Sequence, residues 1–167
     1  DIVIKRTNAV AEKDVTAPYT ESVYNLAPNG NFETANSAYA AGTTMASSDA
    51  YEGGSFLRVT AGNKIIVPIK TRIEFNYKNT YYYTLSAAVR ANAGGAGYVG
   101  ISASADGKTP VLFADGSVAA VRANGTGWSF DAFKYISPDV RPTYLVIECT
   151  AGYIDVDAIS LFTDMHA

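Results

Sequence analysis

The chain has 167 residues, a formal net charge of −3, 48% hydrophobic and 17% charged residues. That length supports one domain with a full core and is short for two, and the apolar to charged balance is that of a folding chain. Its 13 basic residues are scattered, so there is no stripe to neutralise a phosphate backbone and nucleic acid is not an expected partner. No stretch approaches the roughly 18 apolar residues of a bilayer span, so membrane insertion is not expected either.

The opening "DIVIKRTNAVAEKD" has neither the apolar segment nor the small-residue cleavage site of a signal peptide. It starts with Asp1 rather than Met, so something upstream is expected to have been removed, trimmed or omitted, and any export signal could have gone with it. Ile2 and Ile4 give a short β-like start. The polar stretch "RTNAVAEKDVTAPYTESVY", with Pro18, then shows no period of 2 or 3.6. Residues 1–24 therefore read as an extended arm, lying along its own domain or reaching a neighbouring subunit.

At "NLAPNGNFETA", Asn25 to Ala35, the character changes and a β-domain of residues 25–167 is expected to begin. Gly30 would permit a tight or left-handed turn, with Phe32 the first core side chain. Beyond it, Gly, Asn, Pro and Asp clusters recur every ten or so residues, and the apolar positions between them alternate. Eight segments read as strands: "SFLRVTAG", "KIIVPIKT", "YYYTLSAAVRA", "GYVGISASADG", "PVLFADG", "WSFDAFKYI", "TYLVIECTAG" and "YIDVDAISLF". The expected fold is all-β, a two-sheet antiparallel β-sandwich of the jelly-roll type.

Alternation is clearest in "YYYTLSAAVRA". It predicts Tyr81, Tyr83, Leu85, Ala87 and Val89 on the core face, and Tyr82, Thr84, Ser86, Ala88 and Arg90 on the other. Likewise Leu145, Ile147 and Cys149 should point inward, with Tyr144 and Glu148 outward. Cys149 is the single cysteine. No intrachain disulfide can form, and a thiol within an apolar run reads as a buried, inert one.

The residues offer little for catalysis. His166, the single histidine, lies next to the end of the chain, which leaves a nucleophile without a well-held base. CxxC spacing is absent, and "GGAG" at 94–97 lacks the Lys and Ser/Thr of a phosphate loop. The chain is therefore not expected to be an enzyme. Twelve tyrosines, seven phenylalanines and one tryptophan are the remaining signal. Aromatic rings stack on the C–H faces of sugars while adjacent polar groups meet the hydroxyls. By outward parity the candidate carbohydrate contacts are Tyr82, Tyr98 and Tyr144, with Arg90, Asn92 and Glu148 as polar companions.

Five motifs in order, "NGNFE" (29–33), "EGGSFLRV" (52–59), "YTLSAAVRA" (83–91), "WSFDAFKYI" (128–136) and "GYIDVDAISLF" (152–162), resemble the jelly-roll carbohydrate-binding modules related to the xylan- and glucan-binding families. The resemblance implies a non-catalytic module that attaches its carrier to a polysaccharide or surface glycan, in an extracellular setting. It also implies a structural calcium tying the first strand to the last, with Glu33, Glu52 and Asp157 at the corresponding positions and Asp155 next in line. Trp128 resembles a core tryptophan of that pattern. The opening "DIVIKRTNAV" resembles the start of phage fibre and head-decoration proteins. That raises a second class of function, a virion subunit, with capsid or fibre proteins as partners of residues 1–24 and symmetric homo-oligomers expected.

Overall fold

The computed structural model describes residues 10–12, 27, 30–33, 39, 41–69, 81–137 and 144–165. Within these, eleven strands follow one another: β1 (Val10–Glu12), β2 (Thr43–Ala46), β3 (Ser55–Thr60), β4 (Lys64–Pro68), β5 (Tyr81–Ala91), β6 (Ala96–Ser102), β7 (Leu112–Phe113), β8 (Ala120–Arg122), β9 (Ser129–Ser137), β10 (Tyr144–Ala151) and β11 (Tyr153–Met165). A seven-stranded sheet runs β2-β3-β11-β5-β9-β1-β7, and a four-stranded sheet runs β4-β10-β6-β8. The pairings are antiparallel except for that of β1 with β7. This is the expected all-β sandwich. No helix among the described residues is long and apolar enough to cross a membrane.

The period of 2 decides which side chains meet between the sheets. Leu57 and Val59 from β3, Tyr83, Leu85, Ala87 and Val89 from β5, and Ile154, Val156, Ile159 and Leu161 from β11 face Ile65, Val67, Val99, Ile101, Leu145, Ile147 and Cys149 from the second sheet. Each large aliphatic group fully withdrawn from water there contributes roughly 1.5–3 kcal/mol. Cys149 is a buried free thiol, and burial raises its pKa. Tyr81 and Tyr82 belong to β5 by backbone, but their side chains lie outside the described residues. Ser86 and Ala88 do face away from the core cluster, yet both are buried.

All eight expected strands are present, and β1, β2 and β8 are additional. β1 falls inside the expected arm. It pairs antiparallel with β9 and parallel with β7, and it places Ala11 in the core. The rest of residues 1–24 lies outside the described residues, as does His166. At the entry turn the left-handed conformation belongs to Phe32 (φ 58°) rather than Gly30. Phe32 is held there by burial and by an edge-on contact with Tyr39, ring centroids 4.9 Å apart. The Gly30 carbonyl instead accepts the Ile159 N–H at 2.8 Å, beside a break in register of β11 between Asp157 and Ser160. Ala158 there has φ 52°, the local kink that an extra residue in one strand produces.

Candidate functional site

Three strands bring three charged residues into one row. Arg58 of β3 is the register partner of Asp155 of β11, which is the partner of Arg90 of β5. Their sequence neighbours Leu57, Val59, Ile154, Val156, Val89 and Ala91 fill the core, so alternation turns all three onto the outer face of the seven-stranded sheet. Arg58 donates from Nε to Asp155 Oδ1 at 2.8 Å and from Nη2 to Oδ2 at 3.1 Å, and Arg90 Nε donates to Oδ2 at 2.9 Å. A carboxylate as buried as Asp155 is tolerated because both its oxygens receive charge-assisted hydrogen bonds. Arg90 reaches on through Nη1 to Asp49 Oδ2 at 2.6 Å.

The guanidiniums hold their charge firmly. The hydrogen bond to Asp155 raises Arg58 above its ordinary value. Burial pulls Arg90 down, but the hydrogen bonds and charges of Asp49 and Asp155 outweigh it and leave Arg90 raised.

Aromatic rings interleave with these cations. Arg58 Cζ lies 3.9 Å from the Tyr153 ring centroid and 5.8 Å from that of Phe56, while Arg90 Cζ lies 5.1 Å from Phe56 and 4.4 Å from Trp128. Such contacts, within about 6 Å of a ring face, each contribute roughly 0.5–2 kcal/mol. Trp128 Nε1 donates to the Asp49 carbonyl at 2.8 Å. Tyr51, from the loop between β2 and β3, meets Trp128 edge-on at 6.1 Å and stacks on Phe130 at 5.5 Å with 6° between planes. It is 43% exposed, so the cluster presents an aromatic surface to solvent.

Trp128 is thus a correction. It resembles a core tryptophan in sequence, but it is half-buried on the outer face. Ser129 pairs with Val89, a core position, so residues 128 and 130 on either side of it turn outward together.

The sequence-derived candidates divide between the two outer faces. Arg90 belongs to the cluster just described. Tyr98, Tyr144 and Glu148 stand on the opposite, four-stranded sheet. There Tyr98 Oη donates to Glu148 Oε1 at 2.6 Å, and Arg122 Cζ lies 5.3 Å from the Tyr98 ring. Burial and then the Glu148 hydrogen bond push the Tyr98 hydroxyl well above its ordinary range. Asn92 faces neither sheet surface. Its Oδ1 accepts the Tyr153 N–H at 2.8 Å, tying the β5–β6 turn to the start of β11. The side chain of Tyr82 lies outside the described residues.

Glu33, Glu52 and Asp157 are brought to one region. Glu33 accepts the N–H groups of Gly54 (3.1 Å) and Ser55 (2.8 Å), and Asp157 accepts those of Glu52 (2.8 Å) and Ala158 (2.8 Å). Burial pushes Asp157 up to about 7. The Glu52 and Ala158 N–H groups oppose that shift, and the charges of Glu52 and Glu33 add to it. Among the described residues no group of three or more His, Cys, Asp or Glu is placed to hold a metal ion. Asp155, next in line for that role, is occupied by Arg58 and Arg90.

Sequence reasoning did not select Tyr51, Asp49 or Trp128 for the site. The parity of "WSF" around Ser129 carries the signal for Trp128. Asp49 and Tyr51 sit in a loop where no period operates.

No protein-family model matches the chain, and no curated protein matches it. Among solved structures, one described as "Family 16 Carbohydrate Binding Module-2" superposes with a TM-score of 0.51 at 18% identity, over 82% of this chain and 99% of that one. The two share a fold.

Proposed function

We propose that this domain is a non-catalytic glycan-binding module, and that its binding surface is the cluster of Tyr51, Trp128 and Phe130 edged by Arg90 and Asp49. The observation that carries this reading is an outward-facing aromatic group on a sheet, partly exposed, with a guanidinium and a carboxylate at its margin. Sugars are recognised by that combination, apolar ring faces for their C–H surfaces and a few placed donors and acceptors for their hydroxyls. The shared fold with a carbohydrate-binding module supports it. The acidic groups of the cluster are spent on arginines rather than poised for proton transfer, which favours binding over turnover.

The test is binding of soluble xylan and mixed-linkage β-glucan by isothermal titration, with Trp128→Ala and Tyr51→Ala. Loss of one stacking aromatic is expected to weaken binding by about 1–3 kcal/mol, on the scale of other ring-stacked ligands. Unchanged affinity in both variants would remove this surface as the site.

The calcium implied by the resemblance is carried as part of this proposal. Oxygen-only donors are what calcium takes, and the carboxylates of Glu52 and Glu33 lie close enough to Asp157 for their charges to raise its pKa. Thermal melting in calcium against a chelator tests it. A rise in Tm that Asp157→Asn abolishes is expected, and identical melting would exclude the ion. A virion role rests on the resemblance of residues 1–10 and on the arm of residues 1–24, of which residues 10–12 lie within the described structure as β1.

A further inference from the structure

We infer that Asp155 is a positioning residue for ligand binding, setting the plane of the Trp128 ring through Arg90; the inference rests on the glycan-binding reading of that surface. The side chain of Asp155 is 2% exposed, so it cannot touch a ligand itself. It acts on groups that can. Its Oδ2 fixes one edge of the Arg90 guanidinium at 2.9 Å, and Asp49 fixes another at 2.6 Å. The guanidinium then lies over the Trp128 ring, its Cζ 4.4 Å from the centroid. Asp49, held by Arg90 through its carboxylate, holds the Trp128 edge through its carbonyl at 2.8 Å. Phe56 at 5.7 Å and Tyr51 at 6.1 Å meet the ring edge-on, and the Asp49 N–H also donates to Ser47 Oγ at 3.0 Å. The charged support of the ring face and the side-chain anchor of Asp49, however, both pass through the single Arg90 guanidinium.

Arg58 completes the device from the other side. Two hydrogen bonds to Asp155 and a stack on Tyr153 at 3.9 Å stop the carboxylate from rotating away from Arg90. The result is a chain of contacts, Tyr153, Arg58, Asp155, Arg90, Trp128, crossing three strands and ending at the aromatic surface. Preorganisation of this kind lowers the ordering cost that binding would otherwise incur.

Trp128 is the single tryptophan of the chain, so intrinsic tryptophan fluorescence reports on that ring alone. Asp155→Asn is expected to shift its emission to longer wavelength and increase acrylamide quenching. Affinity for soluble xylan or mixed-linkage β-glucan should fall about tenfold or more, the size of one lost charge-assisted hydrogen bond. Arg90→Lys keeps the charge but loses the planar fork and the stack, and should do the same. It carries the test if Asp155→Asn does not fold. Lys64→Gln, at an exposed position of β4 on the opposite sheet, should change neither readout.

Wild-type emission and affinity in Asp155→Asn, or in Arg90→Lys where that variant stands in, would overturn the inference. So would weakened binding with unaltered emission. If the wild-type protein binds neither polysaccharide, the functional reading fails. The emission of Asp155→Asn still decides whether Asp155 positions the ring.

Discussion

Asp157 is a carboxyl group whose surroundings favour its neutral form. It is fully buried, and the charges of Glu52 and Glu33 act on it, so its pKa rises from 3.8 to about 7. The sign of the linkage follows. Between those values the folded state holds a proton that the unfolded chain has released, so stability falls as pH rises through that window. A urea midpoint higher at about pH 5 than at about pH 8 is expected, and Asp157→Asn should flatten the difference. A slope unchanged in the variant would place its origin elsewhere. Tyr135 carries the opposite fault. Its ring stacks on Tyr83 at 5.0 Å, but its buried hydroxyl has no hydrogen-bond partner among the described residues. Tyr135→Phe is expected to raise unfolding free energy by about 1 kcal/mol, because an unpaired buried hydroxyl costs roughly that much or more. Destabilisation in urea would show that the hydroxyl is bonded.

Two turns at one end of the sandwich are closed by a single side chain. Asn92 leaves β5, and its Oδ1 meets the N–H of Tyr153 as β11 begins, which locks the β5–β6 and β10–β11 connections together. Space is made by glycine: a Cβ at Gly95 or Gly152 would run into Asn92 Oδ1, and Gly152 also has φ 60°. Gly116 has φ 87° with no atom near a hypothetical Cβ. Gly116→Ala should therefore cost only the backbone term, about 1–2 kcal/mol. Gly152→Ala should cost more than Gly116→Ala in the same denaturation series, because it also displaces Asn92. Equal losses would mean that Asn92 moves without consequence. These elements also show what the sequence reveals and what it hides. The eleven residues of β5 were legible end to end because alternation over that length has one solution. β1, β2 and β8, of three or four residues, are too short to display a period. They exist because a longer neighbour supplies a template. In sequence Asn92 reads, with Arg90 and Glu148, as a polar companion of the outward tyrosines, since nothing local announces a hydrogen bond to residue 153.

At the scale of the whole molecule, the sandwich has two outer faces, and the sequence could rank residues by parity but not assign them to a face. Arg90 and Tyr98 are eight positions apart, yet they stand on different sheets because the turn after β5 carries the chain across the core. The aromatic surface is assembled from β3, the β2–β3 loop and β9, separations that local pattern does not bridge. The same topology governs the N-terminal residues. β1 fills the gap between β9 and β7, exchanging backbone hydrogen bonds with both and burying Ala11. An arm that served only to reach a partner could be removed without affecting the fold, but a strand inserted between two others cannot. Deleting residues 1–12 is therefore expected to lower stability by about 1–3 kcal/mol, the range for losing packed and paired residues, as read by urea denaturation. Light scattering on the same two proteins separates this structural role from an assembly role. A monomer before and after the deletion fits an autonomous module whose first strand belongs to its own sheet. An oligomer that dissociates when residues 1–12 are removed would make that segment an intersubunit element as well. Full stability without it would mean that β9 and β7 hold the sheet edge unaided.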